Sequence, residues 1–85
     1  MRLDKYLKVS RIIKRRTVAK EASEGGRVTL NGKVAKPSTE VKEGDVMEIR
    51  VGEKLARYRI LTVAETVRKA DAGAMYELIE GEDIE

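Results

Sequence analysis

The sequence predicts an α+β fold: two short N-terminal helices packed on a small antiparallel β-sheet, with a C-terminal strand extension. Three observations predict it. Leu3, Tyr6 and Leu7 stand at the i, i+3, i+4 spacing of one helix face. Asn31-Gly32 separates two strand-like runs, a strong short-range hairpin signal. Beyond residue 45, short β-rich runs follow one another across glycine turns, so helices come first and an antiparallel sheet second.

The elements follow in order. Residues 2–9 read as the first helix, with Asp4 in the first turn where the helix dipole favours an acid. Ser10 is placed to cap a second short turn, Arg11 to Lys14. Thr17 is the expected N-cap of a helix running to about Glu24, with Val18, Ala19 and Ala22 as its small apolar face. Gly25-Gly26 should stop it, one glycine taking the left-handed conformation. Arg27 to Leu30 and Lys33 to Lys36 form the hairpin around a type I′ Asn31-Gly32 turn, and Pro37-Ser38 marks a further turn or edge. Glu43-Gly44-Asp45 turns into a strand at Val46 to Val51, and Gly52-Glu53-Lys54 turns again. Further strands are expected at Tyr58 to Val63 and Met75 to Ile79, joined by a turn or one helical loop over 65–73. The acidic end, Glu80 to Glu85, is expected to fray. Leu3, Leu7, Ile12, Ile13, Val18, Val28 and Leu30 are the expected core, with Tyr6.

Composition narrows the function. Eighty-five residues make one small domain with a thin core. There is no Cys and no His, which removes thiol nucleophiles, imidazole bases and most zinc sites. The serines therefore have no imidazole partner, and the C-terminal acids lack the spacing of a calcium loop. No catalysis, no cofactor and no metal are expected. The absence of Cys fits a reducing cytosol. The apolar runs are too short for a membrane span, and the N-terminus lacks the apolar stretch of a signal peptide.

Charge is segregated. Residues 1–50 hold thirteen Lys/Arg against seven Asp/Glu, whereas residues 51–85 hold five against eight. The first sixteen residues alone carry Arg2, Lys5, Lys8, Arg11, Lys14, Arg15 and Arg16 against the single acid Asp4. These cations are interleaved with apolar residues, the pattern of a folded positive surface rather than a basic tail. Such a surface answers a polyanion, because each cation that neutralises a phosphate releases condensed counterions. Arginine's planar fork suits paired bonds to phosphate. With three Tyr as the only aromatics, base stacking is poorly supplied, so a nucleic-acid partner is expected to be read by its shape and backbone.

An ordered set of residues resembles a known family. Arg2-Leu3-Asp4-Lys5-Tyr6-Leu7, Ser10-Arg11, Lys14-Arg15-Arg16, Gly26-Arg27-Val28, Leu30-Asn31-Gly32-Lys33, Val41 and Gly44-Asp45 together are similar to the RNA-binding domain first described in ribosomal protein S-four. The likeness covers about residues 2–51. It implies an alpha-L RNA-binding motif at 1–51, with 52–85 as a β extension and acidic tail of the same domain. It also implies RNA contact by Arg2 and Lys5 on the first helix, Arg11 in the connecting turn, Lys14 and Arg16 at the start of the next, Arg27, and the Asn31-Gly32-Lys33 turn. Lys8 and Arg15 join them on charge alone.

The length and the N-terminal half most resemble the stand-alone bacterial members of this family that work in ribosome-associated quality control, relatives of a small ribosome-binding heat-shock protein. The resemblance implies a cytoplasmic, ribosome-associated monomer that contacts large-subunit ribosomal RNA and tRNA. A further protein that delivers tRNA to the same subunit would be its partner. Other readings stay open: a heat-shock-type factor that binds free large subunits, a DNA-binding protein, or a module for an anionic membrane surface.

Overall fold

The computed structural model describes residues 1–84. Helix α1 spans Leu3–Val9 and α2 spans Arg16–Glu24. Five strands follow: β1 Val28–Leu30, β2 Lys33–Val34, β3 Val46–Val51, β4 Lys54–Ile60 and β5 Tyr76–Gly81. A 3-10 helix, Lys69–Met75, joins the last two. All five strands form one antiparallel sheet in the order β2-β1-β3-β4-β5. The predicted α+β layout is what is seen.

The sheet has one apolar face. Val28 pairs with Ile49 and Ile49 with Ala56, while Leu30 pairs with Met47 and Met47 with Tyr58. All six are buried, because alternate strand residues point to the same side and that side receives the helices. Leu3, Tyr6 and Leu7 of α1 and Ala19 and Ala22 of α2 join them in one core. Ile12 and Ile13 are buried as expected, whereas Val18 is half-buried and packs at the margin. The opposite face holds Thr29, Glu48, Arg57 and Glu80 in a row across four strands, with Arg57 bridging Glu48 at 3.7 Å and Glu80 at 3.3 Å.

The Asn31-Gly32 turn has φ of 52° and 84°, as a type I′ turn requires. Asn31 does more than turn the chain. Its Nδ2 donates to Asp45 Oδ1 and its Oδ1 accepts from the Val46 N–H, each at 3.0 Å, clamping the hairpin tip to the start of β3. The α2 helix ends at Gly25, and Gly26 takes the left-handed conformation at φ 72°.

Several boundaries differ from expectation. α2 begins at Arg16, with Arg15 in extended conformation at the N-cap and no side-chain cap, so Thr17 lies within the first turn. β4 begins at Lys54 rather than Tyr58, because the Gly52-Glu53 turn pairs Val51 directly with Lys54. Leu61 to Val63 fall outside the strand: the Leu61 and Thr62 N–H groups both donate to the Met75 carbonyl, at 2.8 and 3.1 Å, which ends the ladder. The 65–73 loop is a 3-10 turn from Lys69, and β5 starts one residue later than expected.

The acidic end does not fray over residues 80–84. Glu80 and Gly81 complete β5, and Ile84 is buried in the core. Tyr58 Oη donates to Asp83 Oδ1 and accepts from the Ile84 N–H, each at 3.2 Å. The rest of that expectation, Glu85, lies outside the described residues. Burial pushes the Tyr58 phenol up to about 12, with Asp83 adding to the shift. Tyr6 is raised further, chiefly by burial, and its hydroxyl donates to the Met75 carbonyl at 2.9 Å.

Candidate nucleic-acid interface

The helices and the segment before the 3-10 helix enclose an open cleft of about 1020 Å³. α1 supplies Lys5, Lys8 and Val9, since residues three and four apart share a helix face. α2 supplies Arg16 and Lys20, again four apart, with Ala19 and Ser23 as its floor. The connection between the helices adds Arg11, Ile13 and Lys14, and Arg2 stands beside the first turn. The far wall comes from Glu65, Thr66, Val67 and Lys69. Eight cationic side chains line the cleft against the three acids Asp4, Glu24 and Glu65.

Six of the ten sequence-predicted residues therefore meet in one place: Arg2, Lys5, Lys8, Arg11, Lys14 and Arg16. Arg15 adjoins them as the N-cap of α2. Arg27, Asn31 and Lys33 lie outside the cleft. Arg27 lines a smaller hollow of about 280 Å³ with Gly26, Thr29, Glu48 and Arg50. Lys33 opens β2 and is exposed, and the Asn31 amide is occupied by Asp45 and Val46. Sequence reasoning missed Lys20, Lys69 and Glu65. Lys20 was accessible from its spacing to Arg16; the other two depend on a long-range fold.

Among the described residues, two cleft cations have carboxylate partners. Arg2 pairs with Asp4 at 3.2 Å, and Lys5 pairs with Glu65, whose carboxyl the Lys5 ammonium holds below its usual range. Among the described residues, no carboxylate lies within 4 Å of Lys8, Arg11, Lys14, Arg16 or Lys20. The start of α2 makes the field stronger. Lys14, Arg15 and Arg16 cluster at the positive end of the helix dipole with no acid in the first turn. Cations at this end of a helix oppose its dipole, and the end itself favours an incoming anion.

Arg11 is also conformationally unusual. Its φ is 60°, at the position after the α1 C-cap Ser10 where glycine is the common choice. Its N–H donates to the Lys8 carbonyl at 3.2 Å. The buried Ser10 hydroxyl accepts the Ile12 N–H at 3.4 Å, so Ser10 does serve the following turn as expected, although that turn is not helical. No aromatic ring is presented for base stacking: Tyr6 and Tyr58 are fully buried, and half-buried Tyr76 packs edge-on to Tyr58 at 5.2 Å. The cleft can therefore hold phosphates and read backbone shape, and it has no groove of stacked bases to offer.

The cleft lies mainly within the part of the chain that comparison with known proteins identifies. The S4 domain family matches residues 1–47. The chain belongs to the S4 domain family. Relatives of this S4 domain protein match over its full length. It is 60% identical over 84 residues to a protein of Halalkalibacterium halodurans named RQC P-site tRNA stabilizing factor, covering 99% of this chain and 96% of the relative. A Bacillus subtilis protein of the same name is 46% identical over 84 residues, covering 99% and 98%. Among solved structures, the trimeric Heat Shock Protein 15 of Vibrio cholerae superposes with a TM-score of 0.81 at 35% identity, covering 93% of this chain and 81% of that one.

Proposed function

We propose that this protein is a non-catalytic RNA-binding factor of ribosome-associated quality control. It holds a P-site tRNA on the large ribosomal subunit while a stalled nascent chain is extended. The observation that carries this reading is the cleft itself: a cation-lined groove, mainly in S4 residues, in which Lys8, Arg11, Lys14 and Arg16 have no carboxylate partner among the described residues. The shared name of the full-length relatives gives the RNA its identity.

Lys8, Arg11, Lys14 and Arg16 take phosphates directly, Arg2 and Lys5 do so by exchanging their carboxylates, and Arg15 adds to the field at the α2 N-terminus. Arg27 and Lys33 extend the contact along the hairpin, whose tip Asn31 fixes. The acidic strand end at Glu77, Glu80 and Glu82 faces away from RNA or towards a protein that delivers tRNA. The protein acts as a monomer in the cytoplasm; among the described residues, no helix is long and apolar enough to cross a membrane.

Co-sedimentation with large subunits tests the reading. Subunits carrying a P-site peptidyl-tRNA should retain the protein, and subunits stripped of tRNA should retain much less. Equal retention on both would replace this reading with a factor for free large subunits.

A further inference from the structure

The cleft has a second wall that lies outside the residues matched to the S4 domain. That wall is anchored. The Met75 carbonyl accepts from the Leu61 and Thr62 N–H groups and from the Tyr6 hydroxyl, so one atom ties the segment to its own far end and to α1. Val63, Ala64 and Val67 pack against the core. Between these anchors Glu65 reaches across to Lys5, sixty residues away, while Lys69 opens the 3-10 helix at the cleft margin. Both are exposed, so neither is needed to fill the interior.

An exposed ion pair contributes little to stability. Its position matters more: the Glu65 carboxylate occupies the place on Lys5 that an RNA phosphate would take. We infer that residues 65–69 are a working wall of the RNA site, in which Lys69 is a further phosphate-binding residue and Glu65 a built-in competitor that RNA displaces from Lys5. The inference rests on the proposed RNA reading and adds a part of the chain that the S4 match does not reach. An RNA that seats fully exchanges one carboxylate for a phosphate. Polyanions that engage only α2 leave the Lys5–Glu65 pair closed.

Salt-dependent binding of purified bulk tRNA tests this, with unfolding in urea confirming that each variant is folded. Lys69→Ala should weaken binding about threefold to tenfold near ~100 mM salt and flatten the slope of log K against log salt by ~0.7–0.9. Glu65→Gln should tighten binding about twofold to fivefold, the scale of one exposed pair. That gain should vanish on a Lys5→Ala background. A gain that persists there is a net-charge effect and overturns the inference. If Lys69→Ala and Glu65→Gln both behave as wild type while Arg16→Ala binds weakly, the second wall is refuted and the RNA reading stands. If Arg16→Ala also binds as wild type, the RNA reading itself fails.

Discussion

Arg11 places a cation in the cleft at a cost to the fold. Its left-handed backbone is a conformation that costs an ordinary L-residue about 1–2 kcal/mol. Glycine or asparagine would end α1 more comfortably, yet the chain places a guanidinium there, in the cleft and without a carboxylate partner among the described residues. Arg11→Asn should therefore leave the protein as stable or up to ~1 kcal/mol more stable, since asparagine tolerates that conformation. The same variant should bind tRNA more weakly. Urea unfolding and a tRNA titration on one sample check both halves, and a loss of stability would show that the Arg11 side chain supports the fold. Nothing in the sequence disclosed this strain. Ser10 reads as a cap, and it does accept an N–H from the next turn, but the sign of φ at the following residue depends on how α1 is steered towards α2.

At the scale of elements, the helices and the first hairpin were legible because their signals are local. The i, i+3, i+4 spacing of Leu3, Tyr6 and Leu7 buries all three, and Asn31-Gly32 makes the turn its chemistry prescribes. The second half was harder for a physical reason. Lys54, Leu55 and Ala56 have modest strand preference, and only pairing with Val51, Arg50 and Ile49 makes them a strand. Ile84 is the sharpest case. A lone apolar residue among Glu80, Glu82, Asp83 and Glu85 carries no periodicity, yet it is buried and its N–H bonds Tyr58. Its anchoring gives the acidic end a structural role. Ile84→Ala should cost about 2–5 kcal/mol, the usual range for removing a buried isoleucine side chain to Cβ. Chemical denaturation checks it; a cost below ~0.5 kcal/mol would mean the end contributes nothing to the core.

For the whole molecule, the cationic cleft lies on the helical side of the core, and the other sheet face carries a mixed row of Glu48, Arg57 and Glu80 that largely neutralises itself. The segregation of charge along the sequence was visible at once, and six predicted residues converge on one cleft. The contribution of Glu65 and Lys69 was not visible, because it needs Tyr6 to hold Met75 and so bring residue 65 beside residue 5. If the cleft is the seat of RNA, the location of a cation matters more than the net charge. The most direct test is the salt dependence of tRNA binding for two triple variants of equal charge. One replaces Lys8, Lys14 and Arg16 by Ala; the other replaces Lys42, Arg50 and Arg59, which are exposed and outside the cleft. The slope of log K against log salt should fall by ~2.1–2.7 units for the first, at ~0.7–0.9 per phosphate contact, and by less than ~0.5 for the second. Equal losses in the two variants would contradict the cleft as the seat of RNA.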